Sequence, residues 1–311
     1  MTVVRAVARR TSLYLQLTKA GLAALVVATT VVGFVVASDG PLDLPRLLWT
    51  VLGTALAAGG SLALNQWLEV EPDGRMERTR ARPLPSRALE RREGLVLAIA
   101  LAGSGVMLLA WRVNRLAAAL AFAVILTYAV VYTPLKPRTS LCTLVGAVCG
   151  AIPPMIGSAG ASGRLGAGAW ILASILFIWQ VPHFLSLAWL YREDYARGGF
   201  RVLPVVEPSG RVAFQAIVLY TLALIPVTLG LSIAGAAGPL YTGGSVVLGA
   251  LLAFAAVEFF RLQSNASARR LFAGSIVYMA LLLALVVSDR LRHTTPGSPG
   301  TRAEASARLA E

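Results

Sequence analysis

Residues 47–86 read LLWTVLGTALAAGGSLALNQWLEVEPDGRMERTRARPLPS and change character midway. Residues 47–68 carry no charge at all. A helix needs about 20 mainly apolar residues to cross a bilayer, so this run is long enough to span one. Immediately after it come Glu69, Glu71 and Asp73, then Arg75, Arg78, Arg80 and Arg82. An apolar segment that ends in a dense patch of both charges decides the class of the fold. It is a membrane span whose mouth is built for ions.

Working outward, the same apolar signature recurs near residues 17–37, 94–111, 115–133, 141–159, 168–190, 212–236, 241–261 and 270–289, which with 47–68 makes nine spans. The chain is 57% hydrophobic and 14% charged, against about 25% charged residues in soluble domains. The expectation is an all-α, polytopic integral membrane protein. It comprises a basic N-terminus (1–16), one membrane-embedded domain (17–289) and a disordered Pro-, Gly- and Ser-rich tail (290–311). The first span has basic flanks and no small-residue cleavage site, so it reads as a retained helix.

The net charge of +13 would suggest nucleic acid in a soluble protein. Its distribution excludes that reading. With the N-terminus inside, the loops between spans on the outer side hold only Arg46, Arg112, Arg115 and Arg164, whereas the inner segments hold most of the rest. This is the positive-inside pattern of a multi-pass protein with a cytoplasmic N-terminus. Cys142 and Cys149 fall about two helical turns apart, too far for a disulfide, and no metal-ligand spacing surrounds them.

Three stretches carry chemistry. In the first, Asn65 and Glu69 share a helix face, and Pro72 should end or unwind the helix near residue 70 so that Asp73 folds back beside them. Oxygen donors so arranged suit Mg²⁺; the plainer alternative is a solvated acidic helix end paired to the arginines. The second is WQVPHFLSLAWLYREDYARGGFRVLPVV, residues 179–206. On a continuous helix His183 and Asp194 would stack on one face, with Glu193 and Asp194 at the inner surface. The third is YTPLKPRTSLCTLVGAVCGAIPPMIG, residues 132–157. Its proline-bounded loop presents Lys136 and Arg138, cations suited to phosphate, and its double proline should break the helix around a cavity. Two acidic clusters, several cations and an apolar interior on one side of the membrane fit a substrate with a diphosphate head and a hydrocarbon tail.

At these residues the sequence resembles the UbiA-type membrane prenyltransferases, and within them the branch that farnesylates protoheme IX. The Asn65–Asp73 motif with its Met-x-Arg-Thr and Arg-Pro-Leu continuation carries the resemblance, together with the Tyr-Thr loop and the Trp-Gln-x-Pro-His-Phe run. It implies about nine transmembrane helices around a central cavity, in the cell's inner membrane. It implies transfer of farnesyl from farnesyl diphosphate, with Mg²⁺ as cofactor, to a vinyl group of haem B, giving haem O. Asn65, Glu69, Asp73, Asp194 and His183 then become catalytic candidates, and Glu69, Asp73, Asp194 and Glu193 the metal ligands. Lys136, Arg138, Arg78 and Arg82 become the diphosphate cations, and a haem A synthase or oxidase assembly factor the partner. The sequence departs from the family pattern at Glu69 and Glu71, where Asp is usual, and at Cys142 and Thr143, where an Asn is usual. It also lacks a second Asp four residues after Asp194. Competing readings are prenylation of a quinone precursor or other aromatic acceptor, a non-catalytic haem-binding assembly protein, and a transporter.

Overall fold

A computed structural model describes residues 2–294, and these are helical throughout apart from loops. In chain order the helices are α1 (Thr2–Leu17), α2 (Ala20–Val36), α3 (Leu44–Leu68), α4 (Val70–Arg75), α5 (Arg91–Arg112) and α6 (Arg115–Leu126). A π-helical turn, Thr127–Tyr132, leads into α7 (Thr133–Leu135). Next come α8 (Cys142–Ala151), α9 (Pro153–Ser162), α10 (Ala167–Leu190), α11 (Arg192–Arg197) and α12 (Leu203–Val206). The last three are α13 (Arg211–Ile233), α14 (Pro239–Leu262) and α15 (Asn265–Thr294). The tail expected to be disordered lies, beyond Thr294, outside the described residues.

Eight spans are long and apolar enough to cross a membrane, and a ninth is the pair α1 and α2, bent by 57°. The nine expected spans are therefore present. The first is broken at Lys19, which holds a left-handed backbone with φ of 47°. Gln66 stabilises this bend by donating to the carbonyls of Gln16 and Leu17, both at 2.8 Å. The residues 1–16 expected as a basic terminus thus include a helix. Successive spans are neighbours around the bundle, and α15 returns to pack on α2, closing a ring. At the end of α15, Asp289 accepts from the amides of Gly238 and Tyr241 at the start of α14, and Arg290 donates to Ser38 O.

Two kinds of packing hold the ring. Lipid tails are as apolar as leucine, so membrane helices associate through close contact and polar links more than through the hydrophobic effect. In the first half, glycine and alanine provide that contact. A Cβ on Gly60 of α3 would lie 2.3 Å from the Ala102 amide nitrogen of α5, and one on Gly157 of α9 would lie 1.9 Å from Thr30 O of α2. In the second half, large rings fill the seams: Trp189, Phe214 and Phe259 meet edge to face with centroids 4.8–6.2 Å apart. The broken span α8–α9 and the span α10 are the most enclosed, 67% and 61% buried, against 22% for α5. The break falls at Ile152, before the double proline Pro153–Pro154, as its chemistry requires.

The glycine seam gives a direct test. Gly157→Ala should lower the thermal midpoint of the detergent-solubilised protein, with an overpacking cost of about 1–3 kcal/mol. Gly103→Ala, whose added methyl meets nothing within 4 Å, should leave the midpoint unchanged. Equal midpoints for both variants would rule out the close α2–α9 approach.

Candidate active site

A cavity of about 410 Å³ opens among α2, α3, α8 and α10 and is roofed by the loops that follow α4, α7 and α11. Its deep wall is apolar, with Leu22, Val26, Leu62, Val124 and Leu187. Its mouth holds Glu69, Asp73, Lys19, Arg78, Arg82 and Lys136. Apolar body and ionic mouth share one space, in the size range of small-molecule sites.

The mouth starts at the end of α3. As expected, α3 ends near residue 70: its last residue is Leu68, and Glu69 leaves helical geometry with φ of −99° and ψ of 14° before α4 begins at Val70. Glu69 N bonds Asn65 O at 3.0 Å and Asp73 N bonds Glu69 O at 2.8 Å, so two backbone bonds bridge the break and bring Asp73 beside Glu69 at the cavity. Pro72 is tolerated because it occupies the first turn of the short α4, where a missing N–H does little harm. Glu69 Oε1 pairs with Lys136 Nζ at 2.6 Å, and Asp73 Oδ2 pairs with Arg82 Nη1 at 2.6 Å. All four side chains are largely enclosed, between 1% and 23% exposed. Burial opposes the charge on Lys136, but the Glu69 carboxylate together with Tyr128 and Tyr195 offsets it and raises the ammonium above its usual range.

Lys136 is aimed by a feature that spacing alone could have disclosed. Tyr128, Tyr132 and Lys136 fall four apart, and all three line the cavity. The π-helical turn widens the helix there and sets Tyr128 against Tyr132 with centroids 4.9 Å apart and ring planes tilted by 31°. Such bulges concentrate at functional sites. The Lys136 ammonium lies 4.6 Å from the Tyr132 ring centre and 5.4 Å from that of Phe200. Lys19, counted in the sequence only toward topology, also faces the cavity and donates to Asn65 Oδ1 at 2.8 Å. Both cysteines lie on the cavity wall and are free.

Several candidates sit elsewhere than expected. Asn65 supports the mouth from behind: it accepts from Lys19 and donates to Thr133 Oγ1 at 3.0 Å, buried at the helix junction. Asp194 is not part of the cavity wall. Its Oδ1 accepts from the Glu77 amide at 2.8 Å and Arg197 Nη2 at 2.7 Å, and its Oδ2 from the Arg78 amide at 3.2 Å. Desolvation would raise its pKa, yet these donors hold the carboxyl below its usual range. Asp194 therefore latches the loop that carries Arg78 and Arg82. Glu193 on the same short helix is exposed.

His183 does not stack with Asp194, because the helix breaks at Tyr191, where φ is −112° and ψ is 22°. The ring lies between Trp179 and Phe272, at 4.8 Å from each, with Nδ1 2.8 Å from Ser275 Oγ. It belongs to the α10–α15 seam, and the neighbours facing the cavity are Gln180 and Phe184. Arg138 is exposed and also lies off the cavity wall. Arg78 lies on that wall, its guanidinium 5.2 Å from the Tyr191 ring and 5.8 Å from that of Tyr195.

The expected four-carboxylate metal cluster does not form. Among the described residues, no three His, Cys, Asp or Glu side chains are grouped to hold an ion. The residues that remain do suit magnesium, which binds through one or two carboxylates and completes its shell with water and substrate phosphate. Glu69 and Asp73 both face the cavity, and Asp73 Oδ1 is buried without a hydrogen-bond partner.

Comparison with known proteins agrees with this architecture. Residues 26–284 match the UbiA prenyltransferase family. The protoheme IX farnesyltransferase of Solibacter usitatus is 41% identical over 286 residues, covering 89% of this chain and 98% of the relative. That of Koribacter versatilis is 40% identical over 290 residues, covering 89% and 93%. Among solved structures, an apo UbiA homolog from Aeropyrum pernix K1 superposes with a TM-score of 0.69 at 18% identity, covering 85% of this chain and 97% of that one. A UbiA homolog from Archaeoglobus fulgidus bound to GPP and Mg²⁺ gives 0.66 at 14% identity, covering 89% and 99%. The chain belongs to the UbiA prenyltransferase family.

Proposed function

We propose that this protein is a membrane prenyltransferase that moves a farnesyl group from farnesyl diphosphate to a vinyl group of haem B, yielding haem O. The observation that carries the reading is a cavity in which buried carboxylate–cation pairs guard the mouth and hydrocarbon lines the depth. Relatives of about 40% identity across nearly their whole length, each named protoheme IX farnesyltransferase, support the choice of donor and acceptor.

Each group has a part in this reading. The diphosphate takes the place that Glu69 and Asp73 occupy opposite Lys136 and Arg82, with Lys19 and Arg78 beside it. Cations fixed before the substrate arrives favour the charge that grows on the leaving group. Glu69 and Asp73 would hold a magnesium ion, which would supply further positive charge to the departing diphosphate. The C1–O bond breaks with its electron pair on oxygen, and the vinyl π pair forms the new carbon–carbon bond. Water then adds to the cation left on the vinyl's inner carbon and releases one proton, giving the hydroxyethylfarnesyl side chain. The apolar wall keeps bulk water from the allylic cation before that step. Asn65 holds Lys19, and Asp194 holds the arginine loop, so both act as positioning residues. The setting is the inner membrane with the N-terminus cytoplasmic, and a haem A synthase or oxidase assembly factor is the fitting recipient of the product.

Purified protein given haem B, farnesyl diphosphate and Mg²⁺ should form a later-eluting haem on reversed-phase chromatography, and chelating the metal should stop it. Prenylation only of a quinone precursor would replace the haem reading. Asp73→Ala should reduce kcat by roughly 10²–10³, the range for loss of one electrostatic stabiliser, and Glu69→Asp should retain more activity than Glu69→Ala. Turnover equal to wild type in Asp73→Ala would dismiss the mouth as the reaction site.

The latch predicts a separate signature. Asp194→Ala should speed amide hydrogen exchange at Glu77 and Arg78 as well as lower turnover. Because the native carboxyl is depressed, its contribution is full above the ordinary aspartate range and is lost as pH falls through the native value. Protection factors at these amides in the wild type, corrected for the intrinsic base-catalysed rate, should therefore stay high through neutral pH and fall only under acid. Unchanged protection in the variant would refute the latch.

A further inference from the structure

We infer that Arg138 and Arg201, on the loops after α7 and α11 that roof the cavity, form a carboxylate clamp that grips the two propionates of the haem acceptor and so orients its vinyl edge inward. The inference rests on haem B being the acceptor. Phe200 and Val202 both line the cavity, while Arg201 between them is exposed. Alternate residues of extended chain face opposite ways, so the loop that walls the cavity sends Arg201 to its outer side. The Arg201 amide donates to Lys136 O at 2.7 Å, which fastens this loop to the loop of the diphosphate cation. Arg138 follows Lys136 by two residues, is held by its own amide to Leu135 O at 2.9 Å, and is likewise exposed. Two exposed arginines thus stand on adjoining, tethered loops that roof the same cavity.

Their side chains are also uncommitted. Neither makes a hydrogen bond, ion pair or ring contact among the described residues, whereas nearby cations are engaged. Lys136 is held by Glu69, Arg82 by Asp73, and Arg197 by Asp194 and Glu77. A haem carries vinyl groups toward one edge and both propionates at the opposite edge. The vinyl must approach C1 of the donor, whose diphosphate lies at Lys136 and Arg82, so the propionate edge points away from that pair. Ionised carboxylates are costly in hydrocarbon, which leaves the aqueous rim as their place. Guanidinium forks match carboxylates in geometry and charge. The plainer alternative is that both arginines serve only the charge bias of the inner loops, and esterified haem separates the two.

The test is absorbance titration of haem B and of haem B dimethyl ester into the full-length protein in lipid nanodiscs, without donor. It compares the wild type, the Arg138→Gln/Arg201→Gln double variant and Arg211→Gln, an exposed arginine at the start of α13. Two exposed charge pairs should be worth roughly three- to tenfold in Kd. Esterification should weaken binding to wild type and to Arg211→Gln by that factor and leave the double variant's affinity unchanged. The double variant should bind haem B about as weakly as wild type binds the ester, while its KM for farnesyl diphosphate stays at the wild-type value and so confirms a folded site. A double variant that still distinguishes acid from ester as wild type does, or that has lost donor binding too, overturns the clamp alone. A wild type that binds neither haem, or forms no farnesylated haem in the product assay, overturns the acceptor reading and the clamp with it.

Discussion

Charge buried in an apolar bundle must be matched, and the protein is organised around two such matches. Glu69 with Lys136 and Asp73 with Arg82 join the end of α3 to the loop after α7 and to the arginine loop after α4. A carboxylate left alone in this setting would cost several kcal/mol. The Glu69–Lys136 pair consequently fixes the relative placement of segments far apart in sequence, while the Asp73–Arg82 pair folds the arginine loop back onto α4. They also leave a site whose charges can be exchanged: an incoming anion can take over the cations, and the carboxylates it releases are then free to meet a cation. In this arrangement structural pairing and substrate binding draw on the same atoms.

The surrounding shell is built to keep these atoms in place. Asp194 ties down the backbone at Glu77 and Arg78. Thr79 Oγ1 bonds Asp73 O at 2.8 Å, and Asn65 bridges Lys19 and Thr133. The short helices α4 and α11 follow long spans in the same way: each has six residues, acids in its first turn and an arginine in its last. Their roles differ, however. α4 sends its acid into the cavity, and α11 turns its acid toward the loop after α4. The likeness of the two halves is in the local pattern, and the division of labour comes from the contacts between them.

The spans were legible in the sequence because a missing charge over some twenty residues has few explanations other than a bilayer. Glu69, Asp73, Lys136 and Arg82 were legible because helical spacing and a proline-bounded loop confine where they can point. Asp194, His183 and Arg138 were less so, for a specific reason. Their directions are set by partners far along the chain: Asp194 by amides 116 and 117 residues away, His183 by Ser275 at a separation of 92. His183 and Gln180 differ by three positions on α10, about 60° around the axis, and this is enough to separate the α15 seam from the cavity. Periodicity marks a face but does not say which neighbour receives it. Pro72 was legible for a local reason, since a proline that would break a helix interior marks the end of α3 and sits in the first turn of α4.

The π-helical turn at Thr127–Tyr132 has one more implication, for how the gene can vary. The turn holds one residue more than a regular helix would need, and Tyr132 and Lys136 owe their orientation to that surplus. Losing a single codon here would relax the coil to its commoner form while rotating everything downstream by about 100°. The shortened helix would be the better helix, and the ammonium would face away from the carboxylate it now neutralises. Length in this segment is thus under tighter constraint than composition.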